Sequence, residues 1–148
     1  MENTPHLQKP STRKKARRYA VQGIYQWQLS GNAVKDIEMQ FLETINAKKV
    51  DIPYFQEILV NTLTSISEID DLITPLFDRE FEEVNPVELA IIRLACYELK
   101  SRIDVPYKVV INEALELTKT FGASEGHKFV NGILDKLARQ LRVLEIKN

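Results

Sequence analysis

Residues 85–101 read NPVELAIIRLACYELKS, and this stretch decides the fold class. Asn85 is a good helix cap. Pro86 suits the first helical position, where its missing N–H has no partner to lose, and Glu88 stands where an acid reaches back toward the cap. Beyond it, Leu89, Ile91, Ile92, Leu94, Ala95, Cys96 and Leu99 cover most sides of the segment. A strand would be shorter and would alternate. The run predicts a buried helix at the centre of a helical protein.

Working outward, helical signals recur and strand signals do not. Ser11 or Thr12 is placed to cap a first helix reaching about Leu29 and ending at Ser30-Gly31-Asn32. Its apolar positions Ala20, Ile24 and Trp27 follow the i, i+4, i+7 rule, widened by Val21 and Tyr25. A second helix is predicted over about 33–46, carrying Val34, Ile37, Phe41 and Leu42. Asp51 and Pro53 open a third, whose stripe runs through Phe55, Leu59, Thr62, Ile66 and Ile69. A short helix follows around Asp70–Phe81, bent at Pro75. After the central helix, Asp104-Val105-Pro106 starts one with Val110, Ala114, Leu117 and Phe121 inward and Gly122 as its stop. Ser124 is placed to cap the last, with Val130, Ile133, Leu134, Leu137 and Leu141 inward. The expectation is an all-α chain of about seven helices. At 148 residues it forms a single compact domain: a flexible leader over 1–10, a helical domain over 11–142 and a C-terminal tail over 143–148.

Composition narrows the function. Hydrophobic residues at 44% and charged residues at 28% are globular values. No window approaches the roughly 20 apolar residues of a membrane span, and residues 1–30 carry no secretory apolar core. One cysteine, Cys96, makes no internal disulfide and fits a reducing compartment, so a cytoplasmic location is expected. The net charge of −1 hides an asymmetry. Residues 1–18 carry Lys9, Arg13, Lys14, Lys15, Arg17 and Arg18 against Glu2 alone, a balance of +5; the rest of the chain balances to −6. A basic arm on an acidic body suggests a polyanionic partner and a basic one.

Arg13, Lys14, Lys15, Arg17 and Arg18 crowd the positive end of the first helix, where cations repel one another and oppose the helix dipole. Phosphates would relieve that cost, and arginine-rich segments commonly stay loose until RNA orders them; a solubilising tail is the other reading. A second candidate is Gly122–Asn131, where a glycine-containing turn enters a helix N-terminus with Lys128 as a cation and Phe129 as a ring able to stack on a base. A plain helix connection with a core phenylalanine competes with it. Asp78, Glu80, Glu82, Glu83 and Glu88 cluster at a helix junction, either as a docking surface for a basic protein or as a solvated face with one capping glutamate. Catalytic residues, metal ligands and cofactor motifs are not expected. His6 and His127 have no Cys/His partners at ligand spacing, Cys96 reads as an inert core residue, and no phosphate loop, dinucleotide motif or nucleophile elbow occurs. Asn112 and Asn131 read as buried amides bridging helices, and Asp70-Asp71 as a solvated helix start.

Four segments together resemble the NusB family: RRYAVQGIYQWQL at 17–29, VELAIIRLACYEL at 87–99, DVPYKVVINEA at 104–114 and HKFVNGILD at 127–135. The resemblance covers about residues 11–141, and the last two segments are specific in order, spacing and polar interruptions. It implies two packed helical bundles and no catalytic activity. It also implies transcription antitermination: binding of single-stranded boxA RNA of ribosomal RNA transcripts, together with the ribosomal protein NusE, and entry into the elongating RNA polymerase complex. By the same resemblance, Arg13, Lys14, Lys15, Arg17 and Arg18 match the RNA-contacting arm, and Glu125, Lys128 and Phe129 match a second RNA-facing patch. Tyr25, Glu82 and Glu88 match the NusE-facing surface, which the two helices would present jointly if they pack side by side. Two positions depart from the family pattern. Gly126 stands where serine is common, and Gly23 where alanine is common, at a helix-propensity cost of ~1 kcal/mol. The alternatives are a helical protein-interaction scaffold with a solubilising arm, a helix-turn-helix repressor, and a NusB-like appendage of RNA-modification machinery.

Overall fold

The computed structural model describes residues 9–123 and 125–147; residues 1–8 of the expected leader, with His6, and the proposed cap Ser124 lie outside them. The described residues are helical, without strand. They form α1 (Pro10–Ser30), α2 (Val34–Leu42), α3 (Ile52–Thr64), α4 (Ile66–Ile73), α5 (Pro86–Ser101), α6 (Tyr107–Phe121), α7 (Gly126–Leu141) and α8 (Val143–Lys147), with short 3-10 turns at Thr74–Leu76 and Phe81–Glu83. The chain divides into two compact units, Met1–Thr64 and Ser65–Asn148.

In the first unit α1 packs on α2 and α3, and α2 on α3. The stripe expected on α1 is the buried one: Ala20, Val21 and Ile24 meet a core that includes Ile37, Phe55, Ile58 and Leu59. Gly23 sits where a side chain would press on Leu59, its Cβ coming to 2.9 Å from Leu59 Cδ1. The absent methyl lets α1 and α3 approach closely, which accounts for the departure from alanine. Neither Ser11 nor Thr12 caps α1, contrary to expectation. Lys9 holds the cap position without a side-chain bond, Pro10 opens the helix, and the Thr12 hydroxyl donates to the Lys9 carbonyl at 2.8 Å. The helix closes on Gly31, whose φ of 71° puts it in the left-handed region and whose N–H donates to the Trp27 carbonyl. Asp51 starts α3 as the sequence suggested, its Oδ1 accepting from the Tyr54 N–H at 3.1 Å.

In the second unit α5 is central, packing against α4, α6 and α7. Every residue from Glu88 to Leu99 is buried. Asn85 caps it, Oδ1 accepting from the N–H groups of Val87 and Glu88. Burial pushes the Cys96 thiol up to about 12, so it stays protonated and inert at neutral pH. The expected helix over Asp70–Phe81 is instead the end of α4 and a 3-10 turn, because Pro75 has no N–H to continue the α pattern. Asp70 is not a solvated start: it takes the buried Arg93 guanidinium in a two-pronged pair, Oδ1 to Nε at 3.0 Å and Oδ2 to Nη2 at 2.8 Å. Asn112 and Asn131 are exposed, not buried bridges, since both fall off the apolar stripes of α6 and α7. Residues 143–147 form α8, stitched down by two residues. Arg142, itself buried, donates to the carbonyls of Glu98, Leu99 and Arg102 at the end of α5, and Glu145 accepts from both Arg142 and the Tyr107 N–H that opens α6.

Candidate nucleic-acid interface

The basic arm lies inside α1, and helical geometry sorts its cations. Thr12 and Ala16 point inward, with Arg13 and Arg17 on one side of that buried line, Lys15 and Arg18 on the other and Lys14 outermost. Arg17 is buried and Arg18 exposed; Lys14 and Lys15 are half-exposed. The two inward arginines share one aromatic support. The Arg13 guanidinium carbon lies 4.2 Å from the Tyr54 ring centroid and that of Arg17 5.4 Å away. Arg13 also pairs with the buried Asp51 carboxylate at 3.6 Å, and the Asp51 N–H donates to the Thr12 carbonyl. One acid thus caps α3, neutralises a cation of the arm and ties the two helices together. Tyr54 and Asp51 carried no sequence signal for this; Asp51 stood out only as a helix start. The segment expected to be loose is helical here because Asp51 and Tyr54 offset part of the charge crowding.

The second patch opens α7. Glu125 precedes the helix without a side-chain capping bond, and Glu125, His127 and Lys128 are exposed. Phe129 is half-buried in a surface aromatic cluster: its ring lies 5.8 Å from Phe77, which in turn lies 6.2 Å from Phe81. Arg79 covers Phe129, its guanidinium carbon 4.0 Å from the ring centroid, and its Nε donates to Asp78 Oδ1 at 2.8 Å. That bond holds the Asp78 carboxyl below the usual carboxylate range. Arg79 is a second cation at this patch that the spacing of residues did not single out, because the fold brings it in from another segment.

The acidic cluster is divided by depth. Asp78, Glu80, Glu82 and Glu83 are exposed, whereas Glu88 is only 4% exposed. Glu80 and Glu83 close a reciprocal capping box on the 3-10 turn Phe81–Glu83, which leaves Glu82 facing outward. The expectation that Glu88 belongs to the exposed face is corrected by its place on α5, one turn in, where its carboxyl lies against Gly126. Burial raises the Glu88 pKa, opposed by the nearby Arg79 charge. Tyr25, in the first unit, is half-exposed on α1. No group of three or more metal-ligating side chains occurs among the described residues, and none of their helices is long and apolar enough to cross a membrane.

Known proteins resemble this chain in sequence and fold along nearly its whole length. The family model of the NusB family matches residues 14–139. The transcription antitermination protein NusB of Shewanella piezotolerans is 60% identical over 134 residues, covering 90% of this chain and 99% of that protein. Its counterpart in Shewanella amazonensis is 61% identical over 129 residues, covering 87% and 96%. Among solved structures, NusB of T. maritima superposes with a TM-score of 0.80 at 26% identity, covering 91% of this chain and 96% of that one. A chain from a complex of the antitermination factors NusB and NusE with dsRNA has the same fold, with a TM-score of 0.74 at 23% identity over 89% and 99% of the two chains. A family match over residues 14–139, relatives at about 60% identity and a shared helical architecture lead to one assignment: this chain belongs to the NusB family.

Proposed function

We propose that the chain acts without catalysis, as an RNA-binding transcription antitermination factor. It takes single-stranded boxA-type RNA on its basic arm, jointly with ribosomal protein NusE, and the complex joins elongating RNA polymerase. The observation that carries this reading is the sorting of the arm. Lys14, Lys15 and Arg18 stay at the surface of α1, while buried Arg17 and half-exposed Arg13 brace the helix against Tyr54, Arg13 also pairing with Asp51. A merely solubilising tail has no need of such bracing. Family membership and the antitermination proteins at about 60% identity support the same role. A second RNA contact is assigned to exposed Glu125 and Lys128 with half-buried Phe129, and the NusE contact to the surfaces around Tyr25 and Glu82, the buried Glu88 supplying shape more than charge. Acidic groups suit a basic ribosomal protein because charge complementarity speeds encounter and rejects wrong partners.

The test is a salt-titrated binding curve with single-stranded boxA-type RNA, duplex RNA and duplex DNA, each with and without NusE. Replacing Lys14, Lys15 and Arg18 by alanine should flatten the single-strand log–log salt slope by roughly 2, at about 0.7 per phosphate contact. Glu82→Lys should abolish NusE's enhancement of RNA binding while sparing the intrinsic affinity. By linkage it must equally abolish RNA's enhancement of NusE binding. An unchanged slope in the triple variant would overturn the RNA assignment and leave a protein-interaction scaffold.

A further inference from the structure

We propose that the recess between α1 and the connection from α2 to α3 is a nucleotide subsite. In it Lys15, Arg18 and Lys49 hold phosphates of single-stranded RNA, and Tyr19, Gln22 and Asn46 receive one base. The proposal rests on the RNA-binding reading above and extends it to residues outside the arm.

Lys15, Arg18, Tyr19 and Gln22 follow one another at i, i+3, i+4 and i+7, which puts them on a single face of α1. Facing them, Asn46 and Lys49 complete an open recess of about 400 Å³, within the range of small-ligand sites. Its three cations have no ion-pair partner among the described residues, and no carboxylate lines it. Cations gathered round one hollow repel each other, and an anion relieves that repulsion.

Local hydrogen bonds orient the two amides. Asn46 Oδ1 accepts from the Lys48 N–H at 2.9 Å, so its amide NH₂ is what remains to donate. Gln22 Nε2 donates to the Arg18 carbonyl at 3.2 Å, so its Oε1 remains to accept. The hollow therefore offers a donor and an acceptor, which the edge of a nucleobase meets with an acceptor and a donor. Tyr19 is held edge-on against Phe41, with ring centroids 6.3 Å apart and planes at 70°, and is half-exposed on the recess side. A fixed, half-exposed ring is a stacking platform for a base. Cations on the rim, with a ring and paired hydrogen-bonding groups inside, match a nucleotide of a single strand better than a free phosphate, which would leave the ring and amides unused.

The experiment uses the full chain and single-stranded boxA-type RNA, together with a set of the same RNA in which each position in turn is abasic. Lys49→Ala alters an exposed side chain and should leave the thermal midpoint unchanged while flattening the salt slope by about 0.7. Asn46→Ala and Gln22→Ala should each weaken binding of the intact RNA by roughly tenfold, as paired base contacts do. At one abasic position, and the same one for both, the variants and the parent protein should bind alike. If the parent binds RNA with a steep salt slope but Lys49→Ala leaves it unchanged and no position couples to Asn46 or Gln22, the subsite is overturned and the arm reading survives. A slope change without a coupled position overturns base reception and leaves a phosphate contact alone. If the parent itself shows no salt-dependent RNA binding, the failure lies in the RNA reading. Gln22→Ala guards against loss of the turn that Asn46 organises, because it leaves that turn intact.

Discussion

The carboxyl group of Glu88 fills the space that a Cβ on Gly126 would need, so the first turn of α5 and the first residue of α7 are fitted to one another. Glycine suits this position because the buried glutamate takes up the room a side chain would need. Gly126→Ser should therefore destabilise the protein by roughly 1–3 kcal/mol through overpacking, and adding Glu88→Ala should recover most of the loss. Chemical denaturation of the two single variants and the double variant measures the coupling. Additive losses would mean that the two sites do not share this space.

Glu88 also makes a pH prediction. Its folded pKa is raised by burial, so the folded state binds the proton more tightly than the unfolded chain does. The contribution is fully present below the ordinary value of 4.5 and is lost as pH rises through the folded value. Glu88→Gln should thus stabilise the protein at neutral pH and remove the decline above pH 4.5. Thermal midpoints of both proteins across that range test the sign.

Glu145 should behave in the opposite sense. The Tyr107 N–H and the Arg142 guanidinium both favour its charged form and lower its pKa, so its contribution is present above 4.5 and fades as pH falls through the lower folded value. Glu145→Gln should lose stability at neutral pH and show a shallower acid-side transition. Faster amide exchange at Tyr107 in the variant would locate the loss at the start of α6.

Gly23→Ala sets two effects against each other. Alanine gains about 1 kcal/mol of helix propensity, but its Cβ would press on the fully buried Leu59, and crowding of this kind costs about 1–3 kcal/mol. The net effect should be a loss. The same change in a Leu59→Val background should be neutral or stabilising, since the shortened side chain clears the methyl. A stabilising Gly23→Ala in the parent would show that α1 and α3 separate at little cost.

Phe129 allows packing and base stacking to be measured on one variant. Its ring packs on Phe77 under the Arg79 guanidinium, so Phe129→Ala should lower stability by roughly 1–3 kcal/mol. Base stacking would add a loss of about 1–3 kcal/mol in RNA binding per folded molecule. Measuring both on one variant separates them, and intact RNA affinity would assign the ring to packing alone.

Much of this was legible in residues 85–101 and their neighbours. Asn85-Pro86 at the start of α5, Gly31 at the end of α1, Asp51 before α3 and the stripes of α6 and α7 are local signals, and each acts within a turn or two of where it stands. The charge asymmetry is equally local, and so is the basic face of α1. The α1 cap and the stretch around Pro75 were misplaced for local reasons, whereas other misplaced features depend on tertiary surroundings. Asp70 looked solvated until Arg93 met it, Asn112 and Asn131 looked buried because amides in a helix usually need partners, and Glu88 looked exposed because nothing nearby in sequence shows Gly126 making room for it.

The amino-acid order by itself therefore determined an all-helical chain, the caps at Asn85 and Gly31, and a basic segment placed at the start of the first helix. Tertiary structure decided which cations of that segment face outward, how Arg79 comes to lie on Phe129, and that Lys49 and Asn46 close a recess against α1. The physical reason is range. Helix propensity and capping act through neighbouring backbone groups, whereas burial, ion pairing and ring contacts are set by whichever segments the core brings together.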